Sequence, residues 1–363
     1  MRTYHLAWLP GDGIGPAVTA AALDVLHAVT EAAGVTLQVT EHPVGGAGLD
    51  AAGDPLPPAT EAACLAADAT FLGAVGGPAW TEAPPSRRPE QGLLRLRQAL
   101  GAFANLRPVQ VPAALVGASP LRAERVSGTD LLIVRELTGG LYFGASTYVA
   151  GQQASSTMAY TAAEIQRIGR VAFDQARARR GQVTSVDKAN VLAVSRLWRS
   201  VITELHRREY PDLTLEHLYV DNAAMQLVQR PASFDVVVTA NLFGDILSDL
   251  AATLPGSLGV LPSASFGGTG ALFEPVHGSA PDLAGQDQAN PMAALLSGAL
   301  LLDHLGERAL GQAVRTGVGT VLAAGHRTAD LVQPPHEALG THAFAKQVRG
   351  AALEALQAAA TPS

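Results

Sequence analysis

Short apolar runs alternate along this chain with longer segments in which apolar residues return every third or fourth position. The runs at 4–9, 37–41 and 70–75 predict strands, and the segments at 15–33 and 58–67 predict helices between them. A stretch at 76–89, rich in proline and arginine and containing Arg87 and Arg88, predicts a loop. It leads into a helix at 90–100, with Pro89 at the first helical position, where a missing N–H costs nothing. Further strands are expected at 131–137, 183–186, 215–220 and 235–239, alternating with helices at 162–179, 191–207 and 242–254. Leu254-Pro255-Gly256 is a break, followed by a loop rich in Gly, Ser and Pro and then by helices near 291–305, 308–324 and 342–359. The segment 144–160 is polar and β-branched with no helical period, which suits an arm that pairs with another subunit. Strand alternating with helix predicts an α/β fold.

With 363 residues the chain exceeds the size at which one core stops growing, so two lobes are expected. A net charge of −7 argues against a nucleic-acid partner. The single cysteine, Cys64, excludes an internal disulfide framework and reads as a small core residue, and the Cys and His spacings form no zinc pattern. No apolar run is long enough to span a membrane, and the first residues run into a strand without a signal-peptide core. A cytoplasmic protein without a membrane partner is therefore expected.

Only two lysines stand against 23 arginines, and one of them, Lys188, lies in Ser185-Val186-Asp187-Lys188-Ala189-Asn190. Arginine cannot release its proton in a protein, whereas an ammonium can, so Lys188 is a candidate for proton transfer. The plainer alternative, a survivor on a solvated face, suits Lys346. Asp245 and Asp249 are one helical turn apart in Asn241-Leu242-Phe243-Gly244-Asp245-Ile246-Leu247-Ser248-Asp249. Like charges so placed destabilise a helix unless something positive lies between them, and Mg²⁺ or Mn²⁺ is one such partner. Asp221 follows an apolar strand and could add a third carboxylate, although alone such a residue is more often a helix cap.

Three arginines occur in otherwise apolar settings. Arg97 shares a helix face with Glu90, Leu93 and Leu94, Arg107 follows Phe103-Ala104-Asn105-Leu106, and Arg135 closes a buried strand. Guanidinium suits bidentate carboxylate binding, so the three together suggest a dicarboxylate substrate, while each alone would suit an internal salt bridge. Tyr142 follows Arg135 closely and could supply a phenolic proton. Gly11-Asp12-Gly13-Ile14-Gly15 imitates a dinucleotide turn, but its spacing is GxGxG, so its glycines are assigned to a tight turn and close backbone packing. A better nucleotide loop is Glu274-Pro275-Val276-His277-Gly278-Ser279-Ala280-Pro281-Asp282.

Taken together these residues resemble the β-decarboxylating dehydrogenases that act on isopropylmalate, isocitrate, homoisocitrate and tartrate, with the isopropylmalate branch the nearest in pattern. The resemblance runs from Leu9-Pro10-Gly11-Asp12-Gly13-Ile14-Gly15-Pro16 to the C-terminal helices, and the Asn241 and Glu274 segments are specific to the group. It implies two α/β domains sharing a large mixed sheet, not a Rossmann fold: a discontinuous cofactor-binding domain, 1–102 with 256–363, and a second domain, 103–255, carrying the metal and substrate groups, the dimer interface and the arm. It also implies a homodimer with active sites in its clefts. Arg97, Arg107 and Arg135 would hold the malate carboxylates, Asp245 and Asp249 the Mg²⁺ or Mn²⁺, and Lys188 and Asp221 would serve the neighbouring subunit's site, Asp221 as a substrate and metal group. NAD would lie along His277, Gly278, Ser279, Ala280, Asp282 and Asn290, with Glu90 near the nicotinamide ribose.

The implied reaction is metal-dependent oxidative decarboxylation of 3-isopropylmalate to 4-methyl-2-oxopentanoate with NAD reduction, a step of leucine biosynthesis. Lys188 would take the hydroxyl proton and Tyr142 would protonate the enol carbon. Asp282 can accept from a ribose diol and would repel a 2′-phosphate, which favours NAD over NADP. Leu93 and Leu94 offer an apolar wall for an isopropyl group, whereas the extra carboxylate of isocitrate or homoisocitrate would need a polar partner such as Arg87 or Arg88. Departures from the family pattern are Ala17 after Pro16, Ala79 before Trp80 and Ala145-Ser146 after Phe143-Gly144. A non-catalytic regulatory subunit of the same fold would be expected to lose the tyrosine, lysine or metal carboxylates, all present here, and a phosphotransferase would need a P-loop signature, which is absent.

Overall fold

The computed structural model describes residues 2–84, 87–332 and 337–360, so Pro85 and Ser86 of the expected 76–89 loop lie outside the described residues. The chain forms two compact units, Met1–Ala102 with Gly256–Ser363, and Phe103–Pro255.

In the first unit five strands lie in the order Val35–Glu41, Arg2–Gly11, Ala69–Ala74, Leu272–Pro275 and Pro262–Phe266. The first four are parallel neighbours and the last pair is antiparallel. Ala69–Ala74 is buried along its whole length, as expected of a central parallel strand covered on both faces. The helices Gly15–Ala32, Met292–His304, Arg308–Ala323 and Thr341–Ala360 pack on one another through fully buried Val25, Leu26, Leu295, Leu302, Phe344 and Val348. Cys64 is buried in a second cluster with Leu9, Leu72, Leu96 and Leu100, and burial pushes its thiol pKa up to about 11.

In the second unit, apart from a hairpin, five strands lie in the order Ala104–Gln110, Asp130–Glu136, Val236–Thr239, Gln182–Asp187 and Thr214–Tyr219. The first pair is antiparallel and the rest are parallel. Four longer helices follow its strands: Ala162–Arg177, Ala193–Glu209, Val220–Gln229 and Asn241–Ala252. The expected arm is a hairpin of Ser146–Val149 and Gln153–Ser156, exposed on every residue of both strands. Among the described residues no helix is long and apolar enough to cross a membrane.

Several elements depart from the sequence reading. The loop expected after Gly256 contains the strands Pro262–Phe266 and Leu272–Pro275. Their inward positions include Ser263 and Ser265, which are fully enclosed but carry no hydrophobic signal. The strand Ala104–Gln110 was hidden for the same reason, since Asn105 and Arg107 point inward on one face and Pro108 interrupts the pattern. The helix Gly46–Ala52 is short and begins in glycine, a poor helix former.

Candidate active site

In the second unit the parallel strands deliver their chemistry to one edge. Arg135 is level with Thr239, which is level with Val186, and Val186 with Leu218. The residues just beyond that row are therefore Lys188, Asn241 and Asp221, at the carboxyl ends where open α/β sheets place their sites.

Arg135 is only 3% exposed and reaches towards the Asn241–Ala252 helix. Its Nε and Nη2 donate to Asn241 Oδ1 at 3.0 and 2.8 Å, and Nη1 donates to Asp245 Oδ1. The helix can lie this close because residue 244 is glycine: a Cβ there would stand 2.6 Å from Arg135 Cγ. Arg107 donates from Nε to Asn105 Oδ1 at 2.9 Å and from Nη1 to Ser248 Oγ at 2.6 Å and Asp249 Oδ1 at 3.3 Å, with Nη2 3.9 Å from Asp245 Oδ1. The two guanidinium groups thus supply the positive charge that the Asp245 and Asp249 pair requires. Tyr142 is 43% exposed and its hydroxyl donates to Asp245 Oδ2 at 2.7 Å. Burial of the ring edge and then the Asp245 carboxylate push the phenol pKa up to about 12, so it holds its proton throughout the neutral range.

Lys188 Nζ donates to Asp221 Oδ1 at 2.5 Å, and this bond holds the Asp221 carboxyl below its usual pKa range. The segment bearing Lys188 is fixed from beneath. Buried Asp187 accepts from both Nε and Nη2 of Arg199, at 2.8 and 2.9 Å, and from Ala189 N at 2.8 Å. Arg199 in turn lies 4.9 Å from the ring centre of Tyr219, which precedes the helix bearing Asp221.

Asp245 and Asp249 give a hard cation two carboxylates on one helix face, with Asp249 well exposed, and Mg²⁺ or Mn²⁺ commonly completes such a set with water and substrate oxygens. No group of three acidic, histidine or cysteine side chains among the described residues is close enough to hold a metal, so one chain does not bring Asp221 to that pair.

In the first unit Arg97 is 9% exposed and its Nη2 donates to Glu274 Oε1 at 2.7 Å. Its Nε is enclosed with no hydrogen-bond partner among the described residues. Along the same helix Glu90 is exposed and Leu93 and Leu94 are half-buried, Leu93 against the cluster around Leu96. Arg87 and Arg88 are exposed, and Arg88 bonds to the carbonyls of Ala83 and Thr81 in its own loop. The turn at Gly13 abuts the His277 loop: Ile14 N donates to Ser279 O at 2.8 Å, and Gly13, at φ 59°, has no room for a Cβ, which would stand 2.0 Å from that oxygen. The left-handed Ala280, at φ 35°, turns the loop into the Pro281–Leu283 helical turn, leaving Gly278 and Asp282 exposed.

His277 Nδ1 donates to Gly278 O at 2.9 Å, and burial lowers the ring pKa, which keeps the imidazole neutral. Its Nε2 is then an enclosed acceptor with no hydrogen-bond partner among the described residues. Asn290 differs from its neighbours here. Its side chain accepts from Met292 N at 2.9 Å and donates to Asp330 Oδ2 at 3.0 Å.

Sequence reasoning missed several groups on which these side chains depend. Asn105 and Ser248 hold Arg107, Asn241 holds Arg135, Glu274 holds Arg97, and Arg199 with Asp187 carries Lys188. The available signal was polar residues at inward positions of strands and at the first turn of an apolar helix, where a partner is obligatory.

Residues 5–348 match the family model described as isocitrate/isopropylmalate dehydrogenase. The chain is 62% identical to the 3-isopropylmalate dehydrogenase of Salinibacter ruber over 99% of both chains, and 55% identical to that of Moorella thermoacetica over 95% of this chain and 98% of the other. Among solved structures, isocitrate dehydrogenase from Methylococcus capsulatus aligns with a TM-score of 0.86 at 38% identity, covering 96% of this chain and 99% of that one.

Proposed function

The chain belongs to the isocitrate/isopropylmalate dehydrogenase family, and from that premise we propose that it oxidises and decarboxylates (2R,3S)-3-isopropylmalate to 4-methyl-2-oxopentanoate, reducing NAD, in leucine biosynthesis. The observation that carries the reading is the meeting at Asp245 of a guanidinium, a protonated phenol and a second carboxylate one turn away. Those are a clamp for a carboxylate, a proton donor and a seat for a cation.

Arg97, Arg107 and Arg135 bind the malate carboxylates, each reaching the substrate from a buried and fixed base. Asp245 and Asp249, with Asp221 of the neighbouring subunit, hold Mg²⁺ or Mn²⁺, which when bound acidifies the substrate hydroxyl and stabilises negative charge on the adjoining oxygens. Lys188, also from the neighbour, would receive the hydroxyl proton as the neutral amine, and bound NAD would take the hydride from the same carbon. Loss of the β-carboxylate as CO₂ leaves an enolate, Tyr142 delivers its proton to the carbon, and the proton held on Lys188 restores the phenol. The high phenol pKa keeps that proton available at neutral pH.

Leu94 and the exposed side of Leu93 face the isopropyl group. Burying a carboxylate against them would cost several kcal/mol, which disfavours isocitrate and homoisocitrate. NAD is seated by Glu90, His277, Gly278, Ser279, Ala280, Asp282 and Asn290. The shared site requires a homodimer, and the exposed Met225, Val228 and Ile246 on two neighbouring helices, with the exposed hairpin, supply apolar surface for one. Sedimentation is expected to give twice the 37.4 kDa chain mass.

A substrate panel tests the reading: 3-isopropylmalate, isocitrate, homoisocitrate and tartrate, each with NAD and with NADP. Isopropylmalate with NAD should give the highest kcat/KM by at least about tenfold, the scale of a single mismatched group, and Asp282→Ala should erode the preference for NAD. A preference for isocitrate or homoisocitrate would transfer the choice of substrate from the leucines to Arg87 and Arg88.

A further inference from the structure

We infer that Asn241 is a positioning residue which sets the substrate clamp Arg135 and the proton donor Tyr142 in one geometry. The inference rests on the reading of those two groups given above. Asn241 is fully buried at the start of its helix, and its amide uses all four hydrogen-bonding positions. Oδ1 accepts both Arg135 Nε and Nη2, while Nδ2 donates to Leu137 O and Gly139 O, each at 3.1 Å. The reversed amide would set N–H against guanidinium N–H and oxygen against two carbonyls, so only one orientation is possible. Its backbone N–H donates to the hydroxyl of Tyr160 at 2.9 Å.

The carbonyls held by Nδ2 belong to the turn that leads to Tyr142. The same turn is held from its other side by fully buried Glu136, which accepts from Thr138 N at 3.1 Å and Gly139 N at 2.8 Å. Glu136 fixes the amides of that turn and Asn241 fixes its carbonyls, so the turn has one arrangement. One side chain therefore joins three elements: the strand end at Arg135, the turn before Tyr142, and the helix that presents Asp245 and Asp249. Asparagine alone among the side chains of this size offers a two-acceptor oxygen and two donors in one plane; aspartate keeps the first and leucine keeps neither.

The test compares wild type, Arg135→Ala, Asn241→Ala and Asn241→Asp, with circular dichroism to confirm folding. Loss of four hydrogen bonds in Asn241→Ala should raise KM for isopropylmalate and lower kcat, each by about tenfold or more, while KM for NAD stays within about twofold. In a Tyr142→Phe background the further loss of kcat should largely vanish, because both changes act through the same proton donor. If alanine prevents folding, Asn241→Asp keeps the volume and the Arg135 acceptors but turns an acceptor on the two carbonyls, and its kcat should fall by about tenfold or more. A KM left unchanged in Asn241→Ala, a kcat loss that multiplies fully with that of Tyr142→Phe, or a normal kcat in Asn241→Asp would each overturn the inference. Should wild type fail to turn over, or Arg135→Ala leave KM unaltered, the reading of the site itself fails. Should Arg135→Ala raise KM while the Asn241 variants behave as wild type, only the role of Asn241 fails.

Discussion

Lys188→Arg is expected to lower kcat by about 10²- to 10⁴-fold, the usual contribution of a positioned proton acceptor, with substrate affinity little changed. Arginine can keep the ion pair that the resting ammonium makes with Asp221 but cannot release its proton to become an acceptor, so the loss isolates proton transfer. The supporting framework is untouched by the change, because Asp187 and Arg199 fix the backbone of this segment independently of the lysine side chain. Pre-steady-state mixing with isopropylmalate and NAD would show normal binding followed by a slow or missing hydride step. Near-normal turnover would remove Lys188 from the reaction.

Asp245→Asn is expected to lower kcat/KM by roughly 10³-fold. The change is nearly isosteric and leaves Tyr142 an oxygen to donate to, but it removes the charge that faces Arg135 and one of the two carboxylates offered to a cation. Two charge-assisted interactions worth about 2 kcal/mol each, lost together, give a factor of that order. Titration of the protein with Mn²⁺, followed by electron paramagnetic resonance without substrate turnover, should show a clear loss of affinity. Unchanged Mn²⁺ binding would place the cation elsewhere.

What could be read from the sequence, and what could not, divides along a physical line. The α/β class and the long helices were legible because apolar periodicity reports burial, and the helix from Gly15 ends within one residue of its expected limit. The strands around Ser263, Ser265, Asn105 and Arg107 were not, since their inward residues are polar, and Arg107 is held by Ser248, 141 residues away. Candidate groups were found individually from residue type and spacing. Their mutual arrangement was not: nothing in the spacing says that Arg135 and Tyr142 meet on Asp245, or that Arg97 pairs with Glu274 some 177 residues away. Asn241 illustrates the point best. It was visible as part of a specific motif, yet its role follows only from four bonds that tie its helix to two other elements.

The most direct test of the central claim is the stoichiometry of NADH and CO₂ formed from 3-isopropylmalate by the purified protein with Mg²⁺ or Mn²⁺ present. Equal yields of the two, accompanied by an equal yield of 4-methyl-2-oxopentanoate, are expected. NADH without CO₂, or no NADH at all, would contradict it.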